Sequence, residues 1–435
     1  MTKPKATRTR RIAVEVLGRI DQGAHSDQQL AQVSNLSEPD ARLLREIVLG
    51  TVTWRSRLDF QLEAYLKKPV SKQKAAIRNI LRSAAYQILF LDRVPAYAVV
   101  SESVDLARRY GRGLSGTVNA ILRGLAENRK SVDLPDPIKR PARRLATEFS
   151  YPEWLVKRWI GRYGYEDARN LCKSGNCRPP ITIRVNRKVA TCDALVDALR
   201  PHQIEAVPLP DLDDFLRIQT PSGLFDTPPF RDGWFSVQGP GAGSVSQLLI
   251  VSPGETVLDV CAAPGGKAMA AAERGARLTA SDISATRLGV LRENLTRLKL
   301  DGNLLACDAR SLPFSCTFDH VVVDVPCTGL GTLSRHPEIR WHRQLDDVIR
   351  MSHLQTQILN KACLHVREGG TLVYSTCTIE PEENEEVVQK FLAEHPQFGI
   401  DDTDLTVPKL SIRPGLDGTE GAFGVRIRRA ERNSL

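Results

Sequence analysis

Val257-Leu258-Asp259-Val260-Cys261-Ala262-Ala263-Pro264-Gly265-Gly266-Lys267 opens the half of the chain whose reading decides the fold. An apolar run, Val257–Val260, predicts a strand. The turn after it carries a proline and two glycines, and a helix is predicted from Gly266. Glycines at such a turn let the backbone come close to a ligand, and the helix N-terminus offers free N–H groups. Outward from this stretch, strands and helices alternate: a strand at Leu278–Ser281, a helix at 284–298, and strands at Leu304–Ala306 and His320–Val323. A helix at 346–366, a strand at Thr371–Tyr374 and a helix at 382–394 follow. This alternation predicts a parallel sheet covered by helices on both faces, the doubly wound α/β class, with ligands at the carboxyl ends of the strands.

Acids mark those ends. Asp282 follows the second strand, 23 residues after Asp259, where a carboxylate reaches ribose hydroxyls; Asp308 follows the third and is placed to reach an adenine edge. The glycines could serve only a tight turn, but an acid after each of three strands weakens that reading. G-x-G-x-x-G is missing, which disfavours a dinucleotide. An adenosine-bearing cofactor without a pyrophosphate, S-adenosylmethionine, is the better fit.

Two cysteines lie on turns after apolar strands: Cys327 in Val321-Val322-Val323-Asp324-Val325-Pro326-Cys327, and Cys377 in Leu372-Val373-Tyr374-Ser375-Thr376-Cys377. A thiolate at that edge can act as a nucleophile, and a second thiol nearby points to two roles in one covalent cycle. An isolated cysteine after a strand is more often a small buried hydrophobe, which is the reading for Cys172, Cys192, Cys307, Cys316 and Cys363. Cys172 and Cys177 are not followed by a second pair, so no metal is expected.

The 435 residues exceed a single core, and two or three domains are expected. Nine scattered cysteines suit a reducing cytoplasm, and no apolar run is long enough to cross a membrane. The basic N-terminus has no apolar stretch behind it and does not read as a secretory signal. Charge is unevenly placed. Residues 1–150 hold 27 Lys and Arg against 15 Asp and Glu, whereas the remainder holds 33 against 36. A basic front half joined to a near-neutral back half reads as a polyanion-binding module, the alternative being a solvated basic surface.

The front half is helical in pattern to about residue 129. Ile12, Val16, Leu17 and Ile20 share one face, and Ser37-Glu38-Pro39-Asp40 reads as a helix cap. The expected organisation is an all-α bundle over 1–130, a Pro/Arg-rich linker over 131–150, a small α+β intermediate domain over 151–240, and the α/β domain over 241–435.

Five ordered motifs carry a family resemblance over nearly the whole length: Cys261–Lys267, Asp324-Val-Pro-Cys-Thr-Gly-Leu-Gly-Thr332, Arg335-His-Pro-Glu-Ile-Arg-Trp341, Tyr374-Ser-Thr-Cys-Thr-Ile379 and Pro381-Glu-Glu-Asn-Glu385. The chain resembles bacterial ribosomal RNA cytosine-C5 methyltransferases of the RsmB (Sun/Fmu) type. Its N-terminal part resembles the NusB-type RNA-binding domain at Tyr86–Leu91 and Asn119–Arg123. The resemblance implies a Rossmann-like methyltransferase domain that uses S-adenosylmethionine to methylate a cytosine of small-subunit (16S) ribosomal RNA, before assembly is complete. It assigns the nucleophile to Cys377, contact with the base to Asp324, and product release to Cys327. Cofactor contacts fall to Cys261, Ala262, Ala263, Pro264, Gly265, Gly266, Lys267, Asp282, Asp308 and Asp324. A cytoplasmic monomer is expected, without DNA or membrane partners.

Three stretches depart from the pattern: Ala268-Met269-Ala270, Gln238 with Gly239–Gly243, and Gly421–Val425. Lys267 or the sulfonium charge could activate Cys377. A 5-methylcytosine methyltransferase acting on transfer RNA or another RNA, and an RNA-binding assembly factor without catalysis, are the competing readings.

Overall fold

The computed structural model describes residues 7–111, 113–128, 133–403 and 407–431; the basic residues 1–6 and the first two residues of the expected linker lie outside them. By contacts the chain divides into two units: residues up to Asn176 with Leu333–Arg343, and Cys177–Thr332 with Gln344–Leu435.

The first unit is helical. Arg8–Asp21, Ser26–Ala31, Glu38–Thr53, Arg55–Glu63, Ala75–Phe90, Ala96–Arg108 and Leu114–Glu127 form the expected bundle. Ser37 caps the third of these by accepting the Asp40 N–H. Val14, Ile80, Ala84, Val99 and Leu122 are buried in its core. Beside them Arg10 donates to Glu102 at 2.7 Å and to Gln87 at 2.8 Å.

The expected linker is partly a helix, Pro141–Glu148. Proline at a first helical position starts a helix and does not break it, and Ala142, Leu145 and Ala146 give the helix a buried face. Glu153–Tyr163 and Tyr165–Ser174 also belong to this unit by their contacts, so the contact boundary falls at 176.

Leu333–Arg343 completes the unit. Arg340 is fully buried and donates to the carbonyls of Gly175 (2.8 Å), Leu333 (3.2 Å) and Ser150 (3.3 Å) and to Asn176 Oδ1 (2.6 Å). Its guanidinium stacks 4.0 Å over the Tyr151 ring. Glu338, also buried, accepts the Ser26 N–H and hydroxyl at 3.1 and 2.8 Å, and Trp341 Nε1 donates to Val52 O at 2.7 Å.

The second unit holds two sheets. The smaller consists of β1 (Ile181–Val185), β2 (Ala206–Leu209), β3 (Leu212–Ile218) and β4 (Phe235–Val237), all antiparallel in the order β2-β3-β1-β4. The larger contains β5 (Thr256–Asp259), β6 (Arg277–Asp282), β7 (Asn303–Ala306), β8 (Phe318–Asp324), β9 (Val366–Thr376), β10 (Phe398–Ile400), β11 (Lys409–Ile412) and β12 (Ala422–Arg429). Its order is β10-β12-β9-β8-β5-β6-β7, with β11 also pairing β12.

From β5 to β9 the pairings are parallel, as the alternation predicts. Val321, Val323, Leu372 and Tyr374 face one core with Ile358 and Phe391, whereas Val322 and Val373 face the other with Met269 and Leu291. The sheet is therefore buried on both sides. Beyond β9 it is antiparallel: β12 runs against β9 between it and β10. Antiparallel neighbours need no helical crossover, so helix–strand alternation gives no sign of them. The helix expected at 346–366 is Leu345–Ala362, followed by one tight turn before β9 begins at Val366.

Candidate active site

The site lies at the carboxyl edge of the larger sheet and follows from strand register. In the β8–β9 ladder Asp324 is the partner of Ser375. Cys327 stands three residues past the first and Cys377 two past the second, so parallel pairing delivers both thiols to the same spot. Their sulfurs are 3.0 Å apart, and the Cys377 N–H also points at the Cys327 sulfur at 3.4 Å. Cys377 is exposed and Cys327 half-buried. The hydrogen bond with Cys377, followed by burial, drives the Cys327 thiol above its ordinary range.

Asp324 joins the end of β9 to the β5 turn. One carboxylate oxygen accepts the Ser375 hydroxyl at 2.7 Å, and the other meets Lys267 Nζ at 2.7 Å. Lys267 sits in the first turn of the helix Gly266–Glu273. Below it lies Asp259, 1 % exposed. Burial and then the Asp324 charge push its carboxyl up to about 7, against the opposing pull of Lys267.

Gly265 turns the chain with φ +114°, a conformation that side chains disfavour. Gly331 is needed for a different reason: a Cβ there would lie 2.7 Å from the Cys377 carbonyl oxygen.

The β5-turn residues and Asp282, expected from the sequence to contact the cofactor, come together. Asp282 accepts the Ala263 N–H at 3.2 Å and the Ser284 N–H at 2.9 Å, and Arg287 reaches both Asp282 (3.5 Å) and the Ala263 carbonyl. Cys261 is half-buried, its thiol raised by burial and the neighbouring carboxylates. Asp308 lies two residues beyond β7 and its carboxylate is held by Arg310 at 2.6 Å, not by the β5 turn.

One contributor carries little sequence signal: Ser375 is an ordinary strand residue until the register shows Asp324 as its partner. Ile283, directly after Asp282, is 71 % exposed.

Two of the departures from the family pattern have structural accounts. Ala268, Met269 and Ala270 are buried in the core. Gln238 accepts from Arg184 at 2.6 Å and donates to Ser246 at 3.1 Å, while Arg184 also donates to the Gly266 carbonyl at 2.8 Å. Gln238 thus helps to fix the turn through Arg184.

The other cysteines divide. Cys172 and Cys363 are buried, with burial raising their thiols to about 12 and about 11. Cys192 and Cys307 are half-buried, and Cys316 is exposed, contrary to the buried reading. In the helical unit, Asp27, His336 and Glu338 bring possible ligand atoms within 4.8 Å of one another. Glu338 already accepts both Ser26 donors, and the group reads as a helix cap.

Among the described residues, no helix is long and apolar enough to cross a membrane.

Residues 246–417 match the family model described as 16S rRNA methyltransferase RsmB/F; 7–127 match the NusB family, and 151–224 the RsmF/B-like ferredoxin-like domain. The last match extends on both sides of the contact boundary at 176. A ribosomal RNA small subunit methyltransferase B of Erwinia tasmaniensis is 31 % identical, over 97 % of this chain and 99 % of its own. One of Pseudomonas putida is 35 % identical over 84 % of each. The crystal structure of PH0851 superposes with a TM-score of 0.82 at 25 % identity, covering 97 % of this chain and 98 % of that one. NSun6 from Pyrococcus horikoshii, solved with SFG, superposes with a TM-score of 0.58 at 21 % identity over 64 % of this chain and 98 % of its own, a likeness of fold. With near-full-length relatives above 30 % identity and three family models matched in order, the chain belongs to the RsmB/F family of 16S rRNA methyltransferases.

Proposed function

We propose that the protein transfers a methyl group from S-adenosylmethionine to C5 of a cytosine in small-subunit ribosomal RNA, through a covalent bond between Cys377 and C6 of the base. The observation that carries this reading is the thiol pair, 3.0 Å apart, beside an acid locked to a lysine. The donor set suits the cofactor. Asp282 is assigned to the ribose hydroxyls and the exposed Ile283 to an apolar face for a flat base, and the Asp282 and Asp324 carboxylates beside the turn favour a cation. When bound, the cofactor supplies an electrophilic methyl on a positively charged sulfur.

The residues do the rest. Cytosine C5 is a weak nucleophile until the Cys377 thiolate adds to C6 and turns the ring into an enamine. Asp324, held by Lys267 and Ser375, contacts N3 and the exocyclic amine and steadies the ring as charge develops. After C5 has taken the methyl carbon, the C5 proton leaves as H⁺ and the C–H electrons re-form the ring double bond, expelling the Cys377 sulfur. Cys327, whose sulfur lies 3.0 Å from that of Cys377, donates a proton to it as the C6–S bond breaks. The base must leave its stack to reach the thiols, and the basic helical residues supply the phosphate contacts that hold the RNA.

Deleting the gene and sequencing bisulfite-treated ribosomal RNA tests the substrate. One 5-methylcytosine of the small subunit should disappear; persistence of all of them refutes the assignment. Cys377→Ala should abolish methylation, whereas Cys327→Ala should accumulate a protein–RNA adduct on a denaturing gel. The reverse pattern would exchange the two roles. Calorimetry without a signal for S-adenosylmethionine would favour the assembly-factor reading.

A further inference from the structure

Neither Glu383 nor Asn384 touches a reacting atom, yet between them they hold the residues on both sides of each thiol. Glu383 is fully buried. One of its carboxylate oxygens accepts the Thr328 N–H at 2.8 Å and the Gln355 amide at 2.9 Å, and the other accepts the Thr328 hydroxyl. The same Gln355 amide donates to the Pro326 carbonyl at 3.0 Å. Pro326 and Thr328 are the two neighbours of Cys327. Asn384, 2 % exposed, treats the other turn in the same way. Its side-chain oxygen accepts the Thr376 hydroxyl at 2.6 Å and its amide donates to the Thr378 carbonyl at 3.1 Å. Thr376 and Thr378 are the two neighbours of Cys377. A hydroxyl bridge at 2.9 Å between Thr328 and Thr378 ties the turns to each other, and the Tyr374 hydroxyl donates to the Glu383 carbonyl at 2.6 Å.

We propose that Glu383 and Asn384 are positioning residues: consecutive residues of one tight turn that grip the two cysteine-bearing turns separately and thereby set the distance between the thiols. The arrangement explains why two acceptor-rich side chains are buried here. A pair of loop ends after parallel strands has no backbone ladder beyond Asp324 and Ser375 to keep its register. One backbone bond, from the Gly331 N–H to the Cys377 carbonyl at 3.1 Å, crosses between the turns; side chains hold the residues flanking each thiol, and the covalent link between residues 383 and 384 makes one bracket of the two grips. Displacements of about 1 Å at a reacting pair can cost about a hundredfold in rate, so the bracket bears on the reaction without entering it.

This inference rests on reading Cys377 and Cys327 as a working pair, and its test does not depend on RNA methylation. In the full-length protein, the azo oxidant diamide takes two electrons and two protons from a pair of adjacent thiols, forming a disulfide and a hydrazine. Peptide mapping under non-reducing conditions follows the Cys327–Cys377 link. Asn384→Ala should slow its formation about tenfold or more, lower kcat for methylation by a similar factor, and leave KM for S-adenosylmethionine within about twofold. Glu383→Gln keeps the volume and one acceptor oxygen and covers the case in which the alanine variant does not fold; it should slow coupling by a smaller factor. Coupling at the wild-type rate in a folded variant overturns the proposal. Slowed coupling in the variants, together with a wild-type protein that methylates nothing, would keep the bracket and refute the proposed function.

Discussion

Replacing Asp259 by asparagine should remove a stability penalty that appears only as pH rises. Asp259 is 1 % exposed at the end of β5, and burial with the nearby Asp324 charge lifts its carboxyl from an ordinary 3.8 to about 7. Between those values the folded protein holds a proton that the unfolded chain has released. Stability from this group is therefore complete below about pH 4, falls as pH rises, and levels off above about 7. The difference between the two midpoints corresponds to roughly 4 kcal/mol. Asp259→Asn keeps the shape and the acceptor facing the Cys261 N–H, which now lies 3.4 Å from the carboxylate, without a charge to bury. The gain of Asp259→Asn over wild type should thus grow from near zero at pH 4 to a plateau of about 4 kcal/mol above pH 7. Because the chain has two contact units, the measurement should be local. Hydrogen exchange of peptides from β5 and β8, corrected for intrinsic rates, gives the opening free energy of this sheet at each pH. Parallel curves for the two proteins would refute the buried-carboxyl argument.

Two further substitutions test the scaffold. Gly265→Ala must hold an alanine at φ +114° with its Cβ 2.3 Å from Leu291 Cδ1; a loss of about 2 kcal/mol is expected, read by exchange in β5 and β6, and an unchanged value would mean that the turn relaxes freely. Arg340→Ala strips four acceptors of their donor in the helical unit and should cost about 3 kcal/mol, read as faster exchange in Glu153–Tyr163. A change under about 0.5 kcal/mol would show that the buried guanidinium contributes no net stability.

Much of the site is legible in the sequence because it repeats a simple rule: an apolar strand, then a turn, then a chemically active side chain. Cys327, Cys377, Asp324 and the 261–267 turn all obey it, and the parallel pairing that makes them neighbours follows from helix–strand alternation. What escapes the sequence depends on register or on distant partners. Ser375 matters because of what faces it across the β8–β9 ladder. Gln355 reaches Pro326 from the middle of a helix whose pattern reports only its apolar face. Lys267 is expected from the sequence to touch the cofactor or activate a thiol, and its nearest charge is the Asp324 carboxylate. The expected linker hides a helix because its prolines read as breakers, although one of them stands where helices begin.

The position of Leu333–Arg343 has a consequence for biosynthesis. Its contacts belong to the N-terminal helical unit, and Glu338 meets Ser26 across 312 residues. A ribosome extending the chain at about 5–20 residues per second takes on the order of ten to thirty seconds to pass from residue 176 to residue 333. Throughout that interval the emerged helices lack Arg340 between Ser150, Gly175 and Asn176, and Ser26 lacks its acceptor. The first unit to be made is thus not the first that can be finished. A fragment ending at residue 176 carries an unfilled polar socket that the intact chain closes only after β8 has been synthesised.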